Sequence, residues 1–125
     1  MALTCTFTLC KTDGVTLEVK DTDGGITQTV TMDGTTITIT AKGDETSTFV
    51  QTPEQISLTC KNLEVKAGSM TVETDEALTL KAGTDLKAEA GTGITTDGPT
   101  TTFKGDTLTL KGSLVKTDAS QVVLS

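Results

Sequence analysis

Along the second half of the chain, apolar residues come in pairs two positions apart. The clear pairs are Ile56/Leu58, Leu63/Val65, Met70/Val72, Leu78/Leu80, Leu86/Ala88 and Leu108/Leu110. Ile94/Thr96 and Thr101/Phe103 hold the same places more weakly. First members follow one another at 7, 7, 8, 8, 8, 7 and 7 residues. The residue inside each pair is always polar: Ser57, Glu64, Thr71, Thr79, Lys87, Thr95, Thr102 and Thr109. Alternation with period two marks a strand with one dry and one wet face. No window carries the i, i+3, i+4 spacing of a helix. Turn residues separate the pairs: AGS (67–69), TDE (74–76), AGT (82–84), AGTG (90–93), DGP (97–99) and KGD (104–106). Each unit therefore predicts a strand of about five residues and a turn of two or three, within ordinary strand and loop lengths.

Upstream the pattern is longer and less regular. GVTLEVK (14–20) predicts a strand, DTDGG (21–25) a turn, and ITQTVTM (26–32) a second strand. Asp33-Gly34 reads as a hairpin or corner before a third strand, TTITITA (35–41). KGDETSTFVQTPEQ (42–55) alternates weakly and contains Pro53, so it reads as a loop or a poorly packed turn.

A fixed short period signals a repeat architecture. A unit of this length cannot close on itself. A five-residue strand spans about 17 Å at ~3.3 Å per residue, one side of a triangular prism. Three sides enclose a dry axis. They come from three successive strands of one chain or from one strand of each of three chains. A single-chain solenoid would stack residues roughly 24 apart, three units on, and identity is no stronger at that spacing than at eight. The pattern therefore favours three chains: an all-β, elongated triangular β-helix, an intertwined trimeric β-prism of seven- to eight-residue strand-turn units. Its expected axial core is Ile56, Leu58, Leu63, Val65, Met70, Val72, Leu78, Leu80, Leu86, Ala88, Ile94, Phe103, Leu108 and Leu110.

Composition narrows the picture. Of 125 residues, 34% are hydrophobic and 2% aromatic, so any core is narrow. Thr is the commonest residue, at 30 positions, and β-branched side chains suit a pleated surface. The net charge of -7 and the scattered lysines speak against nucleic acid, which needs clustered cations. No apolar run approaches the ~20 residues of a membrane span. MALTCTFTLC (1–10) lacks the basic start and apolar stretch of a signal peptide, which predicts synthesis in the cytosol. Cys5, Cys10 and Cys60 leave one thiol over in any intrachain pairing and read as reduced, small apolar side chains.

Candidate chemistry is sparse. With no His in the chain, base catalysis would fall to carboxylates or Lys. Asp13, Asp21, Asp23, Asp33 and Asp97 lie in Gly-containing turn contexts, where Asp bonds its own backbone. Asp21 and Asp23 offer oxygen ligands for calcium. The twelve-residue loop closed by Glu is missing, because position 32 is Met. No catalytic residue, metal or cofactor is expected. Repeated TxT, as in TQT (27–29), TIT (36–38) and TLT (107–109), raises a single-chain β-solenoid acting as a binding or ice-binding module. Glu64 and Lys87 on the outward positions break a flat Thr rank.

LEVKDTDGGITQTVTMDGTTITITAKGD (17–44), with the LEVKAGS, LTLKAGT and LKAEAGT units at 63–92, resembles the C-terminal needle of contractile-tail spike proteins. These are the phage baseplate spikes and the VgrG-like spikes of type VI secretion and related injection systems. The resemblance covers roughly residues 14–112. It implies a trimeric, intertwined β-helix with an apolar axis that pierces the target envelope and acts mechanically, not as an enzyme. It implies a homotrimer, a baseplate hub or tail tube protein at the N-terminal end, and transient contact with the target membrane. It also implies assembly at the tip of a tail or injection apparatus and delivery outside the cell. On this reading residues 1–13 form an N-terminal segment for hub attachment and residues 14–125 the spike. Two departures stand out. Family members commonly carry an OB-fold before the needle, whereas thirteen residues precede Gly14. Some needles end in an iron-holding His tip, which a chain without His excludes. Val122, Val123 and Leu124 would instead form an apolar tip seating a PAAR-like cap protein.

Overall fold

Six consecutive alternating segments, joined by short turns rich in Asp, Gly and Thr, fold into one antiparallel meander. The computed structural model describes residues 2–123. The strands are β1 (Leu3–Cys10), β2 (Gly14–Asp21), β3 (Ile26–Met32), β4 (Ile37–Lys42), β5 (Thr46–Gln51) and β6 (Ile56–Thr59). Spatial order follows chain order, every strand antiparallel to its neighbour. The chain divides into two units, Met1–Val72 and Glu73–Ser125. The sheet lies in the first.

Residues opposite one another in an antiparallel ladder share a face. The register therefore sorts the sheet into two surfaces. One row runs Phe7–Leu17–Val30–Ile39–Phe49–Leu58 across all six strands, and a second runs Leu9–Val15–Met32–Ile37–Gln51–Ile56. The opposite face carries Thr6–Glu18–Thr29–Thr40–Thr48–Thr59 and Thr8–Thr16–Thr31–Thr38–Val50–Ser57. One side is mostly aliphatic and aromatic, with Asp21, Gln28, Ser47 and Gln51 among its positions, and the other is mostly threonine. Among the described residues no side chain is buried, polar or apolar.

Turn chemistry explains the strand ends. Asp33 Oδ1 accepts from the backbone N–H of Thr35 (3.0 Å) and Thr36 (2.8 Å) and from the Thr35 hydroxyl (3.0 Å). That cage, with Gly34 at φ 95°, holds the β3–β4 turn. It also explains why β4 starts at Ile37 and not at Thr35: both threonines are spent on the turn. Gly14, at φ 91°, is fixed by proximity as well as by conformation. A Cβ there would lie 1.9 Å from the Met32 carbonyl oxygen.

Several expectations need correction. The stretch 42–55 is not a loop: it contains β5, paired along its length with β4. Its weak alternation reflects Ser47 on the apolar face and Val50 on the polar one. Pairing of Phe49 with Ile39 overrides that local signal. Pro53 sits in the β5–β6 turn, closed by Thr52 N–H to the Gln55 carbonyl (2.9 Å). Ile56 and Leu58 start no repeat unit; they belong to β6 and finish the meander. The segment before Gly14 contains an eight-residue strand at the sheet edge. Beyond Thr59 a single chain forms no strand ladder among the described residues. One copy is therefore an open sheet followed by unpaired extended chain.

Candidate functional site

The candidate surfaces are the apolar sheet face and the repeat region, and the backbone builds both. Through residues 61–123 the chain is extended, broken by bends at 61, 68, 75–76, 83–84, 91–92, 98–99, 105–106, 112–113 and 120. Each of the six turns expected between 67 and 106 contains one of these bends. The period of seven and eight is thus a period of corners, not only of hydrophobicity. Between corners the alternation is real. Glu64 pairs with Lys66 at 2.9 Å, and Lys87 pairs with Glu89, each two residues on and on the polar side. Leu63/Val65 and Leu86/Ala88 point the other way, as period two requires.

These straight segments have no partners of their own. No backbone–backbone hydrogen bond is made within 61–123 among the described residues. The apolar members are bare: Leu80 is 68% exposed, Leu86 69% and Phe103 71%. Val122 and Val123 at the expected tip are exposed too, and Leu124 lies outside the described residues. Each backbone amide needs a partner once water is removed.

Within the second unit one further feature carries weight. Leu80 and Leu86 line a cleft of about 730 Å³ together with Phe103 and Leu108. Leu80/Leu86 and Phe103/Leu108 are three units apart. After three corners the chain faces itself again, yet leaves an open gap in place of a ladder. A single-chain solenoid would close that gap with backbone hydrogen bonds, one turn on the next.

Accessible area measures the deficit. The chain exposes 12060 Å². A compact monomer of 12.9 kDa would expose roughly 6,300 Å², and its extended chain about 18,700 Å². The chain therefore exposes about twice the surface of a compact monomer of its size.

The remaining candidates resolve into local chemistry. Asp21 Oδ1 accepts from the N–H of Asp23 (3.0 Å) and Gly24 (3.1 Å). Asp23 Oδ2 accepts from the Ala2 N–H at 3.0 Å, and the Thr22 N–H donates to the Ala2 carbonyl at 3.0 Å. The DTDGG carboxylates therefore brace the β2–β3 turn and clasp it to the start of β1. No cluster of three or more His, Cys, Asp or Glu that could hold a metal occurs among the described residues. Hydrogen bonds from the backbone of Thr35 and Thr36, then the Thr35 hydroxyl, hold the Asp33 carboxyl below its usual value. Hydrogen bonds from the Thr12 hydroxyl and backbone lower the Cys10 thiol. Cys5, Cys10 and Cys60 are all free. The Thr ranks of the polar face are interrupted by Glu18, Lys20, Lys42 and Val50.

Sequence reasoning missed the sheet's continuous apolar row. Its signal was in the chain as odd-numbered apolar positions from Leu3 to Leu9, continued by Val15, Leu17 and Val19. No family model matches this chain, and neither a curated protein nor a solved structure matches it.

Proposed function

We propose that this protein is a structural, non-enzymatic spike of a contractile injection machine, assembled as a homotrimeric triangular β-prism. The observation that carries the reading is the gap left after three corners in the repeat unit, lined by Leu80, Leu86, Phe103 and Leu108. Two further chains, offset around the axis, would lay their strands in that gap. Each chain then supplies what the others lack: amide partners along the sides and aliphatic cover along the axis. The apolar series from Leu63 to Leu110 becomes the interior, and Glu64, Lys66, Lys87 and Glu89 stay in water.

The sheet's apolar face asks for the same kind of cover: other copies laid on it would take Leu17, Val30, Ile39 and Phe49 out of water.

The role in the machine rests on the resemblance to contractile-tail spikes. It brings a hub or tail tube protein at the N-terminal end, a PAAR-like cap at the end that includes Val122 and Val123, and transient passage through a target membrane. Static light scattering during gel filtration tests the assembly. Three times 12.9 kDa, or a whole multiple of that, is expected; a stable monomer or dimer overturns it. Deleting residues 121–125 should keep the trimer and abolish co-purification with the cap made by the same machine. Undiminished cap binding would sink the tip assignment.

A further inference from the structure

Natural sheets guard their edges with charge, Pro or bulges, so that they do not recruit other strands. Here the placement is inverted. The charged residues of the strands are Glu18, Lys20 and Asp21 on β2 and Lys42 on β4, both interior. β1, hydrogen-bonded to β2 alone, reads LTCTFTLC: eight residues with neither charge nor Pro. An edge this long and neutral is a strand-pairing surface.

Its sequence also states what it pairs with. Reversed about Thr6, Leu3 meets Leu9, Thr4 meets Thr8 and Cys5 meets Phe7. Opposed residues in an antiparallel ladder share a face. A second β1 centred on Thr6 therefore sets Thr against Thr on one face, and Leu, Cys and Phe against Leu, Phe and Cys on the other. The two-fold axis stands perpendicular to the sheet, so each face stays on its own side. Across the junction Phe7 meets the Cys5–Val19–Gln28–Ala41–Ser47 row of the second copy and Leu9 meets its Leu3–Asp21–Ile26 row, so the mostly apolar faces lie on one side.

We propose that β1 is a self-pairing edge whose occupant is β1 of a second copy of this chain, in register about Thr6. Self-complementarity makes the contact isologous, and a two-fold interface closes after one partner. The pairing needs only the sheet and stands apart from the trimer. If both hold, the same two-fold joins two trimers. A hub docked on this edge would displace the second copy.

The test uses the full chain with Cys5, Cys10 and Cys60 changed to Ser. Thr6→Cys should give disulfide-linked pairs at twice 12.9 kDa on non-reducing gels. Opposed Cα atoms at ~4.5–5.5 Å fall inside the ~4.4–6.8 Å that a disulfide spans. Thr4→Cys and Thr8→Cys face each other, so each alone should stay unlinked and a mixture should cross-link. In a separate variant with native cysteines, Thr6→Lys places Lys opposite Glu18 within its own sheet, a favourable pair, but opposite a second Lys across the two-fold. Its assembly mass should fall to half that of the parent. A parent of six chains supports both the edge and the trimer. A parent of two chains supports the edge and removes the trimer; a parent of three removes the edge and keeps the trimer. Absence of Thr6→Cys cross-links, equal cross-linking by Thr4→Cys alone, or an unchanged mass for Thr6→Lys overturns the proposal.

Discussion

The two halves of this chain solve the same problem differently. In the meander from Leu3 to Thr59 every strand has a hydrogen-bond partner within the chain, and the apolar side chains of one face lie without cover. In residues 61–123 the backbone forms no ladder and the apolar side chains stay bare, although corners and alternation are in place. Local sequence makes the same kind of unit in both. The difference lies in the connections. Turns such as Asp33–Thr36 reverse the chain onto itself. Bends such as 83–84 only redirect it, so each segment leaves its predecessor behind. A reversing turn lays each strand on the one before it; a redirecting corner leaves each segment without that neighbour.

Charge on the axis of the repeat half should break the comparison most severely. If the proposed trimer forms, Leu80→Asp would place three carboxylates together in an apolar interior, and an unpaired buried charge costs several kcal/mol each. It should abolish assembly on gel filtration, while Thr79→Asp, one residue away and on the wet side, keeps it. Equal behaviour of the two variants would reverse the inside and outside assigned here.

Next in size is truncation in the sheet's apolar row. Ile39→Ala should cost about 2–5 kcal/mol per chain if other copies cover that face. Thr29→Ala on the opposite face should stay within ~0.5 kcal/mol. Urea midpoints of the two variants read this directly. An Ile39→Ala effect as small as that of Thr29→Ala means that the face stays wet.

Backbone strain in the sheet comes third. Gly14→Ala forces a Cβ onto the Met32 carbonyl at positive φ and should cost about 1–3 kcal/mol. Gly83→Ala meets nothing within 4 Å, so only the corner's own conformation resists it. A larger loss at Gly83 than at Gly14 would mean that the corners, not the reversing turns, carry the tight geometry.

The smallest effect is a pH dependence confined to the sheet. The folded-state Asp33 carboxyl is lowered by its turn amides. Its contribution is therefore fully present above the ordinary carboxylate value of about 3.9 and is lost as pH falls through the lower folded value. Asp33→Ala should flatten that part of the acid limb of stability, measured by melting between pH 5 and pH 2. An unaltered acid limb would mean that the turn cage adds nothing.

Much of this was legible beforehand where local chemistry decides. β3 falls on ITQTVTM (26–32), Asp21 and Asp33 cage their turns, and the six turns between 67 and 106 contain bends. What was hidden depends on pairing. β5 carries Val50 and Ser47 on the faces opposite to their polarity, and only its ladder with β4 makes it a strand. β1 alternates well, but its apolar positions include a Cys, and its partner is visible only through the register with β2. The pair Ile56/Leu58 matches the later repeats in spacing. Nothing in those residues says that the preceding turn reverses and the following one does not.

Amide hydrogen exchange, resolved along the full-length chain, tests the central claim most directly. If the repeat half completes its ladders between chains, amides of 73–123 should be protected as strongly as those of β3, away from the corners. Protection of β1–β6 with exchange in 73–123 at the rate of an unfolded peptide would contradict the account.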